Sequence, residues 1–153
     1  MLKKQVTTIF LFTVLAIWSY GQSGNSLVFI KNQGQWESHI KHRVAVPNGM
    51  IFLESDAFTH TRYSGEDFET HHEAKHEDES TADNVILHGH SWKTQFIGSN
   101  SQTSVSGKNK SSEYYNFFLG NDPGKWAGNV SAFNNIYYTD FYSGIDMEVY
   151  SKD

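Results

Sequence analysis

The sequence predicts an all-β protein, an antiparallel β-sandwich or meander, from three observations. Twenty-three of the 153 residues are aromatic, and rings suit the pleated, half-buried surface of a sheet. Short runs that alternate apolar and polar side chains are separated by clusters of Gly, Asn, Asp and Pro, the punctuation of strands and turns. No stretch repeats apolar residues at helical spacing over a convincing length.

Leu27 to Ile30 reads as the first strand. Arg43 to Val46 and Met50 to Leu53 flank Pro47-Asn48-Gly49, which is the signature of a hairpin. Glu54-Ser55-Asp56 supplies a second turn, and Ala57 to Tyr63 then alternates with β-branched residues and continues a three-stranded antiparallel meander. Residues 65–84 read as a loop. Val85 to Leu87 and Trp92 to Ile97 read as one long or interrupted strand with Gly89 at a bulge. Residues 99–112 are rich in Ser, Gly, Asn and Lys and read as a loop holding a short strand at Thr103 to Ser106. Tyr114 to Leu119 is a strand, Gly120 to Gly124 a turn, and Ile145 to Tyr150 a closing strand. In that last strand Ile145, Met147 and Val149 point one way and Asp146, Glu148 and Tyr150 the other, the pattern of one face on a core. The chain stops three residues later. The expectation is an N-terminal or truncated piece of a longer protein, its sheet incomplete at the C-terminus and an edge left unsatisfied.

The N-terminus reads as an export signal. Lys3 and Lys4 give a positive start, Val6 to Trp18 an uncharged and mostly apolar stretch, and Ser19-Tyr20-Gly21 small residues at the positions a signal peptidase reads. Cleavage is expected between Gly21 and Gln22, giving a signal peptide over 1–21 and a β-rich module over 22–153. Thirteen residues fall short of the roughly 20 that cross a bilayer, so no membrane span is expected after cleavage. There is no cysteine, which excludes a lipid-attachment cysteine, a disulfide framework, thiolate metal sites and a thiol nucleophile.

Without Lys3 and Lys4, ten basic residues face 17 acidic ones, a net charge of −7. Nucleic acid and anionic membrane surfaces both need a basic footprint, so neither is an expected partner.

The run Phe117-Phe118-Leu119-Gly120-Asn121-Asp122-Pro123, with Lys125-Trp126-Ala127 and Asn129-Val130, is followed by Tyr142-Ser143-Gly144-Ile145-Asp146 and Tyr150-Ser151-Lys152-Asp153. It resembles the N-terminal domain of very large secreted proteins of gliding, Gram-negative bacteria. The opening Phe29-Ile30-Lys31-Asn32-Gln33-Gly34-Gln35-Trp36 resembles the start of the same domain. The resemblance implies a cell-surface or secreted context in which SBBP-type β-propeller repeats, PKD-like modules and a type IX sorting domain follow. It implies no active-site residue, and without a sorting domain export would end in the periplasm.

Four groups of residues are candidates for chemistry. Residues 65–83 hold eight of the 17 carboxylates together with His71, His72 and His76, competent ligands for zinc or copper that lack a metal-binding spacing and suit a solvated loop equally well. His88 and His90 share one strand face and His60 lies on a possible neighbour, so three imidazoles could converge; outward-facing polar residues are the plainer account. Trp36, Trp92, Trp126 and Tyr114, Tyr115, Tyr137, Tyr138, Tyr142 and Tyr150 could stack on sugar rings, although rings of this kind mostly fill the core of a small β-domain. Asp122, Asp140, Asp146 and Glu148 could bind calcium or act as an acid–base pair, without the spacing either use requires. Asp122 before Pro123 instead suits a turn.

No nucleophile, base and orienting group can be assembled, so the expectation is a non-catalytic module without a cofactor. Its expected role is structural or adhesive, with downstream domains of a longer chain or other surface proteins as partners. The alternatives are a carbohydrate-binding module that takes polysaccharide on exposed aromatics, and weak metal binding by the histidine and acid loop.

Overall fold

A computed structural model describes residues 27–67, 69–70, 86–100 and 102–152. The expected cleavage site at Gly21 and Gln22, and the histidines His71, His72 and His76, lie outside the described residues. No helix among the described residues is long and apolar enough to cross a membrane.

The chain is all-β, one antiparallel sheet curled into a half-barrel. Its strands are β1 (Phe29–Lys31), β2 (His42–Val46), β3 (Gly49–Leu53), β4 (Ala57–Tyr63), β5 (Gly89–Gln95), β6 (Ser104–Phe117), β7 (Ala127–Tyr142) and β8 (Ile145–Tyr150). The order across the sheet is β5-β4-β3-β2-β1-β7-β6, with β8 also on β7. Among the described residues the strands form one sheet and not two facing ones, a meander from β1 to β5 joined through β1 to β7. The β2–β3 hairpin matches the sequence reading: Val46 pairs with Gly49, Pro47 and Asn48 form the turn, and Asn48 takes φ 54°. That left-handed conformation is one asparagine tolerates better than most residues.

Three expectations are corrected. The polar segment 99–112 is mostly strand, because β6 runs through it to Phe117. Its residues pair with β7 on one edge only and stay largely exposed, so serine and lysine do not oppose strand formation there. Gly89 begins β5 and is not a bulge, and Ile97 lies beyond the strand, 82% exposed. The longest strand, β7 with 16 residues, had no counterpart in the sequence reading.

The core has two parts on opposite faces of β1. Phe29, Val44, Leu53, Ile136, Tyr138 and Phe141 form the larger cluster, and Ile30, Ala127, Val130 and Ala132 the smaller. Between Asn129 and Asp140, β7 contributes buried even-numbered residues to both, Val130 and Ala132 to the Ile30 side, Ile136 and Tyr138 to the Phe29 side. Since side chains alternate along a strand, β7 changes face between Ala132 and Ile136. Asn109, with φ 52°, lies on β6 across from this switch, between Lys108 opposite Asn135 and Lys110 opposite Phe133.

Candidate functional site

β7 is also where the sheet divides. Along one edge it pairs with β1 through Ala132 and Phe133, and beyond them with β8 from Asn135 to Tyr142. Asn135 is the partner of Tyr150, so β1 must leave β7 where β8 arrives. Leu27, the residue at that departure, is tied to the other branch by its amide, which donates to Ser151 Oγ at 3.0 Å. Between the branches lies a crevice of about 160 Å³, lined by Leu27, Phe29, Val44, Ile51, Phe58 and Val149 among others.

β8 has β7 as its one strand partner among the described residues, leaving its second edge open. Ile145 and Tyr150, at the two ends of β8, are each 58% exposed. Met147 and Val149 pack against the larger core cluster, as the alternation implied. An unpaired edge carries a row of free N–H and C=O groups and is a template for another strand.

The carboxylates of β8 do not guard that edge, because they are bound back to β7. Asp146 Oδ1 accepts from the Asp140 amide at 2.7 Å and Oδ2 from the Tyr137 hydroxyl at 3.1 Å. Glu148 Oε1 accepts from Asn135 Nδ2 at 2.8 Å. Asp140, at φ 53°, sits in a bulge between Tyr138 and Tyr142, where Oδ1 accepts from the Gly144 amide and Oδ2 from Asn100 Nδ2. Asp122 caps a 3-10 turn, its Oδ1 accepting from the Gly124 amide at 2.9 Å, which is the turn role its place before Pro123 suggested. These four carboxylates are engaged by backbone amides and neighbouring side chains and form no group placed to hold a metal ion.

The histidines separate as well. His88 gives both its backbone N–H and its imidazole Nδ1 to Asp67 Oδ2, each at 2.8 Å; the amide bond first and the ring second hold Asp67 below the usual carboxylate range. His60 stacks on Trp92 at 5.0 Å between ring centroids and 2° between planes, and His90 stacks on the same indole at 5.8 Å. The three imidazoles therefore do not converge. Among the described residues, no group of three or more His, Asp and Glu is placed to hold a metal ion.

The aromatic candidates form no continuous row. Tyr138 is fully buried and Trp36 meets Phe52 and Phe117 edge-on. Tyr137 and Tyr142 donate their hydroxyls to Asp146 and to Ile97 O. The exposed rings fall in separate places: Trp92 under its two imidazoles, Trp126 against Phe118 in the β6–β7 connection, Tyr114 on β6 and Tyr150 at the end of β8.

Two residues outside the sequence candidates organise the surroundings. Glu54, between β3 and β4, has a buried carboxylate that accepts from Lys93 Nζ at 2.8 Å and Thr59 Oγ1 at 2.6 Å. Burial raises its pKa, but these two bonds together with the charges of Lys93 and His39 more than offset that, and it lies below its ordinary value. Arg43 packs its guanidinium carbon 4.8 Å from the Trp36 ring centre and 5.7 Å from that of Phe117. The one sequence signal for it was an always-charged side chain inside an apolar strand.

Residues 29–153 match a family model described as a domain of unknown function, DUF7948. No curated protein and no solved structure matches the chain.

Proposed function

The chain belongs to the DUF7948 family of domains of unknown function, and from its geometry we propose that it is a non-catalytic interaction module whose β8 edge receives an extended strand from a partner. The partner strand lies in a neighbouring domain of the same polypeptide or in another surface protein. The observation that carries this reading is the open edge of β8 beside an apolar crevice. A strand added there gains main-chain hydrogen bonds from the edge, and its inward side chains enter the space between Phe29, Phe58 and Val149. Exposed Ile145 and Tyr150 are then covered at the two ends of the joint.

The same reading places the module outside the cytoplasm, on the cell surface or in the medium. It is supported by the charged start, apolar stretch and small residues that precede Gln22. The resemblance to secreted proteins of gliding bacteria supports an adhesive or scaffolding setting. Polysaccharide binding has less behind it, because Trp92, the exposed ring of the meander, is already stacked with His60 and His90.

Photocrosslinking in the cells that make the protein tests the proposal. A benzophenone amino acid placed at Ile145 or at Tyr150 is expected to capture a polypeptide segment that alternates apolar and polar residues. The same probe at Ile97, 82% exposed and away from β8, should capture it at least tenfold less. Equal capture from all three positions, or none from the two β8 positions, overturns the proposal.

A further inference from the structure

The opposite face of β1 and β2 carries a second cavity, about 540 Å³ in volume, whose walls include Leu27, Val28, Ile30, Val46 and Pro47 and whose charged lining group is Arg43. That volume is in the range of small-molecule sites, which are mostly apolar with a few placed polar groups.

Arg43 is unusual for a half-buried arginine. Its Nε is shut off from solvent and has no hydrogen-bond partner among the described residues, and no carboxylate there lies within salt-bridge distance of it. A guanidinium stays protonated and its terminal nitrogens remain free to meet an acceptor, while the buried Nε–H without a partner is unfavourable. The aromatic packing fixes the direction of the group. Trp36 and Phe117 hold the guanidinium against their rings, an attraction that keeps it from swinging out to water. Trp36 is in turn fixed by the turn that precedes it, where Asn32 Oδ1 accepts from its amide and Asn32 Nδ2 donates to its carbonyl. Tyr115, also on the cavity wall, gives its hydroxyl to Glu113 at 2.9 Å.

We propose that this cavity is a binding site for an apolar monocarboxylate, with Arg43 anchoring the carboxylate and the aliphatic walls taking the body of the molecule. The planar fork of the guanidinium matches a carboxylate in a two-point contact. The aliphatic walls select against small hydrophilic anions, because a short anion leaves apolar surface in contact with water. This site is independent of the β8 edge.

Decanoate is the probe, with decanol and acetate as controls that lack the charge and the body respectively. Each is titrated into the purified chain while the Arg43 Nε–H and the Val28 and Val46 methyl resonances are followed. Decanoate is expected to saturate with shifts at all three positions, and decanol to bind at least tenfold more weakly. Acetate should give no saturation over the same range. Arg43→Met keeps the unbranched stem between the rings and is expected to remain folded while losing the preference for decanoate over decanol. Arg43→Lys should lose most of it as well. Equal affinity of the native protein for decanoate and decanol overturns the proposal even if neither variant folds, and so does an unchanged preference in a folded Arg43→Met protein.

Discussion

The phenol of Tyr138 donates a hydrogen bond to the backbone carbonyl of Glu54 at 3.1 Å, joining the middle of β7 to the β3–β4 turn across 84 residues of sequence. Tyr138 is fully buried, and burial first, with the Glu54 carboxylate second, raises its pKa well above the ordinary phenol value, so it acts as a neutral donor at all working pH. Tyr138→Phe keeps the ring and strands the carbonyl. A loss of about 1–3 kcal/mol is expected in urea unfolding, the range for a buried acceptor left without its partner. No change would mean that the bond contributes nothing to closing the half-barrel.

His42 gives the fold a pH dependence. Its ring is 3% exposed, edge-on to Phe133, and neither nitrogen has a hydrogen-bond partner among the described residues. Burial first, and Lys31 second, lower its pKa from 6.5 to about 4. Above about pH 6.5 the ring is neutral folded and unfolded, and stability is complete. Between that pH and about 4 the unfolded chain takes up a proton that the folded chain refuses, so stability falls as pH falls. The full loss is about 3 kcal/mol on the usual conversion. Unfolding at pH 7 and pH 5 should show the slope, and His42→Phe should flatten it.

Asn32 holds the turn between β1 and β2 by donating Nδ2 to the carbonyls of Trp36, Glu37 and Ile40, at 3.1, 3.0 and 2.9 Å. Asn32→Asp turns a donor toward three carbonyls into an acceptor. A destabilisation of about 2 kcal/mol or more is expected, with a changed tryptophan emission because Trp36 loses its support. Asn32→Ala should fall short of that loss, since it removes the bonds without adding repulsion.

Gly107 lies beneath Phe133, where an added Cβ would overlap the ring. Gly107→Ala is expected to destabilise by about 1–3 kcal/mol through overpacking. Gly98→Ala meets no atom but is strained by φ +78°, and should cost about 1 kcal/mol, a backbone effect. Thermal melts of the two variants separate the mechanisms, because Gly107→Ala, Phe133→Ala should recover part of its loss and no partner substitution should rescue Gly98→Ala.

How much of this was legible in the sequence depended on whether each signal was local. The β2–β3 hairpin was readable because Pro47 and Asn48 are the turn, and Asp122 because its bond to Gly124 spans two residues. β7 was not readable. Its apolar residues change face between Ala132 and Ile136, and bulges at Asn129 and Asp140, both at positive φ, shift the register again. A period-2 template fails on such a strand although it is the centre of the sheet. β6 was hidden by composition, since an exposed edge strand tolerates the residues of a loop. β8 itself was foreseen from the alternation of Ile145 to Tyr150. The pairings of Tyr138 with Glu54 and of Arg43 with Trp36 and Phe117 depend on the folded register, and neither leaves a spacing signal in the chain.

Amide hydrogen exchange of β8 tests the strand-addition account most directly, because it reads the main-chain bonds themselves. Residues 145–150 are compared in the isolated chain and in the assembly recovered intact from its own cells. The account expects alternate amides of β8, those directed away from β7, to exchange freely in the isolated chain and to slow by at least tenfold in the assembly. Alternate amides that exchange equally fast in both would contradict it, as would a β8 already protected along its whole length in the isolated chain.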